Sequence, residues 1–332
     1  MSKTDIDIEE FAATLTKIAK NTGASEVLVR GAVDAALAHE THDNFFKGFH
    51  GSHGIDAWVE KLTSSAEIEE KLLVDRPALK IYDSNGRSPL HIILERYDEF
   101  SKLASQNGTL SVGIEGQYMS ALFYIVRKFA DDGYLTILSS NGGPQGTVPY
   151  GGKQDIFGTN PLAYGIPTSS DSIVFDAATS KRAYGLIAEA KRTKTLLPED
   201  TYLTKDGEFT TDPEKAHSVK EFGGYKGYAI NLLLEVMTSA LVGGTAGREQ
   251  KEKSELGTWL YIIDPDTTVG KEKFIAQTDR IKQEIIDTEP RDGFGKVMYP
   301  GQRGHEYSEN NNNEVSIDEE TWKIIVDKAS NL

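Results

Sequence analysis

Three of the chain's seven histidines, His42, His50 and His53, fall in one stretch, interleaved with Gly48, Gly51 and Gly54. A histidine among small residues on a loop is accessible and can exchange a proton near neutral pH. His42 and His50 read as structural or surface groups. The regular metal-like spacing is His50-x-x-His53, and no acidic cluster nearby completes a ligand set, so no metal is expected. A metal hydrolase built on His50 and His53 is the weakest of three functional alternatives.

A second kind of chemistry is written where strands run out. Residues 150–181 hold paired glycines, a Gly158-Thr159-Asn160-Pro161 turn, and the apolar run Ile173-Val174-Phe175 leading into Asp176, Thr179 and Ser180. A strand that stops on small and hydroxyl residues aims backbone N–H groups and side-chain oxygens at one spot, which suits a phosphate or a ribose. An ordinary strand–turn–strand corner has the same composition. Tyr134–Leu138 likewise runs into Ser139, Ser140, Asn141, Gly142 and Gly143. Phe222-Gly-Gly-Tyr-Lys-Gly-Tyr228 opens an apolar helix expected over 229–241, and glycine-rich backbone with one lysine before a helix is an anion cradle. The GxxxxGK[ST] spacing is absent, and no GxGxxG follows a strand.

The elements that must carry these groups alternate along the chain. Apolar periodicity predicts helices over 7–20, from an N-cap at Ser25 through about 42 with Val27, Val29, Val33 and Leu37 inward, over 56–74, over 89–104, and over 118–132. Further helices are expected over 183–194, over 271–287 with Phe274, Ile281 and Ile285 inward, and over 317–326 with Ser316 as N-cap. Strands are expected over 110–114, 134–138 and 258–263.

Length and composition bound the rest. The 332 residues suffice for two domains, and 38% hydrophobic with 26% charged residues is a globular composition. A net charge of −15 argues against nucleic acid as partner. The absence of cysteine excludes disulfides, zinc–thiolate sites, iron–sulfur clusters and a thiol nucleophile. The first 25 residues are charged, without the apolar core of a signal peptide, and no apolar run is long enough for a membrane span. A cytoplasmic, soluble protein is the expectation.

Taken together the motifs resemble the malate/L-lactate dehydrogenase-type oxidoreductases, the non-Rossmann group that includes ureidoglycolate, diketogulonate and sulfolactate dehydrogenases. The likeness rests on Gly51-Ser52-His53-Gly54, Pro149-Tyr150-Gly151-Gly152, Gly158-Thr159-Asn160-Pro161, Asp176-Ala177-Ala178-Thr179-Ser180, Gly223-Gly224-Tyr225-Lys226-Gly227 and Pro300-Gly301, in order, with a matching tail through Trp322. It implies an α+β fold: a helical domain from both termini (1–78 with 282–332) and a central mixed-sheet, nucleotide-binding domain of non-Rossmann type (79–281). It implies NAD or NADP as cofactor, a small-molecule substrate and a homodimer with the site near the subunit interface. It implies His53, with Ser52, at the substrate, and Asp176, Ala177, Ala178, Thr179, Ser180, Lys226, Gly227, Pro300, Gly301 and Gln302 at the dinucleotide, with Thr159 beside them. Ser140 matches a further cofactor contact, Ser139 being the alternative register.

Two positions depart from the family's pattern. Counting back from Gly133, Tyr118 stands where many members carry a second histidine. A phenol can donate a proton or hydrogen-bond a carboxylate, but it is a poor base. Four residues after His53, where the family tends to place an arginine for the substrate carboxylate, the chain has Ala57. Alanine cannot replace a bidentate clamp. Lys47, Lys153 and Arg303 are candidates for the missing charge. The expected activity is hydride transfer between a nicotinamide cofactor and a 2-hydroxy or 2-oxo acid, with His53 moving the proton and Tyr118 assisting. A reductase of a cyclic imine or larger keto acid, and a cofactor-binding homologue that has lost catalysis, are the alternatives.

Overall fold

The structure is a computed structural model, and it describes residues 3–41, 49, 54–143 and 146–332. The chain opens with β1 (Lys3–Asp7), then α1 (Ile8–Lys20), α2 (Glu26–Glu40), α3 (Ile55–Glu67), β2 (Lys71–Arg76) and β3 (Leu79–Asp83). There follow α4 (Pro89–Glu95), α5 (Tyr97–Asn107), β4 (Thr109–Glu115), α6 (Leu122–Asp131), β5 (Leu135–Ser140), β6 (Leu162–Ile166) and β7 (Ile173–Ala177). Next come α7 (Leu186–Thr193), the short strands β8 (Tyr202–Leu203), β9 (Phe209–Thr210) and β10 (Ser218–Val219), and α8 (Tyr225–Thr238). The last elements are β11 (Gly257–Ile263), α9 (Lys271–Ile286), α10 (Gln302–Glu309), β12 (Glu314–Asp318) and α11 (Glu319–Ser330).

The two ends of the chain meet. β1 pairs antiparallel with β12, and α1 packs on α2 and α11. Asp7 caps α1 through the amides of Glu9 and Glu10, and Ser25 caps α2 through that of Leu28. β12 corrects one expectation: Ser316 is a strand residue facing Asp5, and the final helix is capped by Asp318 instead. Val315 and Ile317 alternate inward, fully buried, against a partner strand some three hundred residues away, which local periodicity cannot reveal.

The middle of the chain builds a mixed seven-stranded sheet in the order β2-β3-β4-β11-β5-β6-β7, with β3 and β4 parallel and the other neighbours antiparallel. One continuous apolar cluster joins the terminal helices, α4 to α6 and one face of this sheet, through Leu15, Leu62, Phe100, Phe129, Leu138 and Leu260 among others. The expected boundaries at 78/79 and 281/282 fall in the β2–β3 turn and inside α9. Among the described residues, no helix is long and apolar enough to cross a membrane.

Other local expectations shift for physical reasons. The helix expected over 56–74 stops at Glu67, because Lys71–Arg76 is taken by β3 as a hairpin partner. The helix expected over 89–104 breaks at Arg96, in the bridge region (φ −98°, ψ 11°), where its guanidinium is drawn to Glu70 and Glu99. Val27 is 58% exposed, because the stripe that α2 buries runs through Leu28, Ala32 and Ala36. On α9, Thr278 and Lys282 are buried and Ile281 is exposed, since Lys282 reaches Asp171 and Thr278 bonds the carbonyl of Pro167.

Candidate active site

The segment before α6 is the first piece of the site. It is not helical: Ala121 sits in the left-handed region (φ 62°) and α6 begins at Leu122, so Tyr118 lies ahead of the helix rather than on its first turn. Two strand ends hold this segment. Ser140, fully buried at the end of β5, accepts from the Met119 amide at 2.8 Å. Asp176, at the end of β7, accepts from the Phe123 amide at 3.1 Å and so caps α6 from across the sheet. Both are residues expected from the sequence at a cofactor; what the structure shows is that each positions backbone.

Tyr118 then turns toward α3. Its hydroxyl lies 3.3 Å from Lys61 Nζ, and the same ammonium stands 4.6 Å from the ring centroid. Lys61 and Ala57, one helical turn apart, line a single cavity between α2, α3 and α4 together with His91, Ser120 and Ala121. His91 is buried, its Nδ1 2.6 Å from Ser65 Oγ. Burial first, then the positive charges of Arg87 and Lys61, push its pKa down to about 3, so it is neutral. His53 and Ser52 lie outside the described residues, as do His42, His50 and Lys47.

The glycine and hydroxyl turns form the second piece. Thr179, buried, donates through its hydroxyl to the carbonyls of Thr159 and Asn160 at 3.1 and 3.0 Å, while the Phe222 amide reaches the Thr179 carbonyl at 3.3 Å. Ser180 bridges to Glu221 and bonds the Arg182 carbonyl at 2.7 Å. The start of α8 is therefore docked on the Asp176–Ser180 run. α8 begins at Tyr225, earlier than the pattern predicts, which puts Lys226 and Gly227 in its first turn. A Cβ on Gly227 would stand 1.7 Å from the Phe222 carbonyl oxygen, so only glycine fits. Lys226 is exposed.

Beneath these turns lies a polar knot that sequence reasoning missed. Glu235, 2% exposed, accepts from Asn160 Nδ2 at 2.8 Å, Asn141 Nδ2 at 3.2 Å and the Gly247 amide at 2.9 Å. Asn160, held at φ 32°, also donates to Asn231 Oδ1 and accepts from the Gly142 amide. Asn231 in turn bonds the Gly158 carbonyl. One helix face thus fixes both the 141–143 and the 158–160 turns. The signal was present as polar residues at i, i+4 and i+7 of an apolar helix.

The third piece closes on β7 from outside. The Val174 amide donates to the Pro300 carbonyl at 3.1 Å, and Gly301, at φ 91°, leaves no room for a Cβ, which would sit 2.7 Å from the Val174 carbonyl oxygen. Lys282, Tyr299 and His305 all converge on Asp171. Burial alone would raise the Asp171 pKa, but hydrogen bonds from Tyr299 and Lys282 outweigh it and hold it down at about 2. Asp176, Pro300, Gly301, Arg127, Arg303 and His305 line one open cleft of about 390 Å³. Gln302 faces the neighbouring cleft and bonds the Tyr299 amide and Glu306. Of the candidate cations, Arg303 is in this first cleft, and Lys153 is an exposed partner of Glu208 at 3.1 Å. Among the described residues no group of three metal-ligating side chains exists.

The profile of the family described as malate/L-lactate dehydrogenase matches residues 6–326. The Δ1-pyrroline-2-carboxylate/Δ1-piperideine-2-carboxylate reductase of Pseudomonas putida is 33% identical over 320 residues, covering 90% of this chain and 89% of that one. The ureidoglycolate dehydrogenase (NAD(+)) of Escherichia coli K12 is 28% identical over 265 residues, 76% of each chain. The sulfolactate dehydrogenase structure from Methanocaldococcus jannaschii superimposes with a TM-score of 0.86 at 24% identity, over 99% of this chain and 97% of that one. The profile match over nearly the whole chain, with a relative 33% identical along 90% of it, shows that the chain is a divergent member of the malate/L-lactate dehydrogenase family, an oxidoreductase of the dehydrogenase/reductase kind.

Proposed function

We propose that the protein is an NAD(P)-dependent oxidoreductase interconverting a 2-oxo acid and its 2-hydroxy acid. The observation that carries this reading is convergence: Asp176 and the Pro300–Gly301 turn share one cleft, while Asp176 also caps the helix whose preceding segment carries Tyr118. The cleft suits a dinucleotide. It combines one carboxylate able to accept from ribose hydroxyls with the cations Arg127 and Arg303 and open backbone at Gly301. The start of α8, with exposed Lys226 and the left-handed Gly223 and Gly224, adds amide donors suited to a phosphate. A bound nicotinamide cofactor supplies the carbon that gives or takes the hydride. His53 is the proposed proton donor to the substrate oxygen, and Tyr118 hydrogen-bonds the substrate beside it.

Titration with NADH or NADPH should change the nicotinamide fluorescence, and the cofactor should be oxidised on adding a panel of 2-oxo acids. Absence of both cofactor responses at high micromolar concentration would overturn the proposal. His53→Ala should then abolish most turnover while leaving cofactor binding intact. Binding without turnover across the panel would favour a homologue that has lost catalysis. A second reading, reduction of a cyclic imine carboxylate, is favoured by the 33% identity to the Pseudomonas putida reductase over most of both chains. Adding such an imine to the same panel separates the two. We further propose a homodimer, supported by the exposed Leu232, Leu233 and Val236 on α8.

A further inference from the structure

The cavity beneath α3 holds a charge that the reading above leaves without a task. Its volume is about 80 Å³, smaller than the roughly 150 Å³ site that holds a benzene ring, so it has room for a carboxylate group rather than for a whole substrate. Ala32, Ala35, Ala36 and Leu90 make much of its wall apolar. Lys61 enters from α3, on the same face as Ala57 and one turn further on. The described residues offer Lys61 no carboxylate within ion-pair distance; its contacts are the Tyr118 hydroxyl and ring. Glu40 also lines the cavity, but its carboxylate accepts from the Phe49 amide at 2.7 Å. His91 is buried against Ser65. A half-buried ammonium with a phenol as its polar partner, set in an apolar wall, attracts an anion, because a charge taken out of water is stabilised only when paired.

We propose that Lys61 holds the substrate's carboxylate, with the Tyr118 hydroxyl bonding the same ligand, and that this pair takes the place of an arginine at position 57. The inference rests on the function proposed above. A lysine is a point charge on a flexible stem rather than a planar fork, so the grip is single and tolerant of the rest of the substrate. A larger side chain at position 57 would fill the space that Ala57 leaves open on the same face. Lys61 is thereby a specificity-determining residue, not a proton carrier, and its loss should act on the carboxylate alone.

The test compares the best 2-oxo acid with its methyl ester in wild type, Lys61→Met, Lys61→Arg and the double variant Ala57→Arg/Lys61→Met. Lys61→Met should raise the KM of the acid about tenfold to a hundredfold, the range expected for a lost charge-assisted hydrogen bond. The preference for acid over ester should collapse by the same factor, with the Kd for NADH unchanged. Lys61→Arg should recover most of the loss, and so should Ala57→Arg/Lys61→Met if both positions address one ligand group. An unchanged acid KM in Lys61→Met, or an equal loss on acid and ester, would overturn the inference while leaving the proposed function standing. Wild-type enzyme that neither turns over any 2-oxo acid nor binds oxamate in the presence of NADH would overturn both. If Lys61→Met shows no cooperative melting transition and so is unfolded, the acid-to-ester ratio of Lys61→Arg decides, and a ratio equal to wild type with unchanged acid KM supports the inference while an equal loss on acid and ester overturns it.

Discussion

α6 and α8 pack on opposite faces of the same sheet and obey opposite rules. α6 buries Leu122, Phe123, Ile125, Val126 and Phe129, as an amphipathic helix should. α8 buries Asn231, Glu235 and Thr238 beside Leu234, and leaves Ile230, Leu232, Leu233 and Val236 exposed. The strands explain the contrast. Val112 and Ile114 of β4 point into the main core, whereas Gly113 between them meets Val242 beyond α8. Ser140 is likewise tied to the segment before α6 while Asn141, the next residue, bonds Glu235 of α8. One side of the sheet is a core; the other is a scaffold for turns. A helix over strand ends must satisfy amides and carbonyls, so its polar residues go inward. Most of its apolar residues are then left for a partner.

That contrast can be broken or sharpened, and the largest effect belongs to the apolar side. Phe129→Ala removes a fully buried ring beside Tyr97 and Tyr134, at a cost of about 4 kcal/mol. Denaturant melts should show this with cofactor affinity unaltered in whatever folded fraction remains. Glu235→Ala strands the Asn141 and Asn160 amides and the Gly247 N–H, at about 3 kcal/mol. Unlike Phe129→Ala it should also weaken NADH binding, because the 158–160 turn it fixes holds Thr179 and with it the Asp176–Ser180 run. Equal NADH Kd values for wild type and Glu235→Ala would dissolve the distinction between core and scaffold.

Asp171 gives a smaller, pH-dependent effect at the outer edge of α6's side, where the 299–302 turn is anchored. Its native pKa, about 2, is below the unfolded value near 3.9, so its stabilisation of about 2 kcal/mol is complete above pH 4 and is lost as pH falls from 4 to 2. Asp171→Asn should flatten that segment of a melting-temperature profile. The smallest effect on monomer stability should come from Leu233→Asp with Val236→Asp, within about 0.5 kcal/mol, since both are exposed. Sedimentation should nevertheless show a change in assembly. An unchanged sedimentation coefficient, with wild type monomeric, would remove α8's outer face from consideration as an interface.

Much of the fold was legible. The α1 and α2 boundaries followed from apolar periodicity and from caps, and β4, β5 and β11 from short apolar runs bounded by turn residues. What failed were elements whose partner is distant. β1 and β12 specify each other, and β2 exists because β3 folds back on it. Of the residues around the cleft, Asp176 and Thr179 stand at a strand end that the sequence marks, whereas Pro300 and Gly301 were named from the family resemblance. Lys61 and Glu235 were not legible, because each looks like an ordinary residue of its own helix.

By itself the sequence determined which groups are available: imidazole at 53, hydroxyl and glycine turns after three strands, no thiol, and alanine at 57. Tertiary structure alone decided which of them meet. Lys61 faces Tyr118 across 57 residues of chain, and Glu235 ties turns 75 and 94 residues away. The physical reason is that local periodicity records only which side of an element is apolar. Whether the buried side meets methyl groups or unpaired amides depends on the surface it lands on, and that surface is made by other parts of the chain.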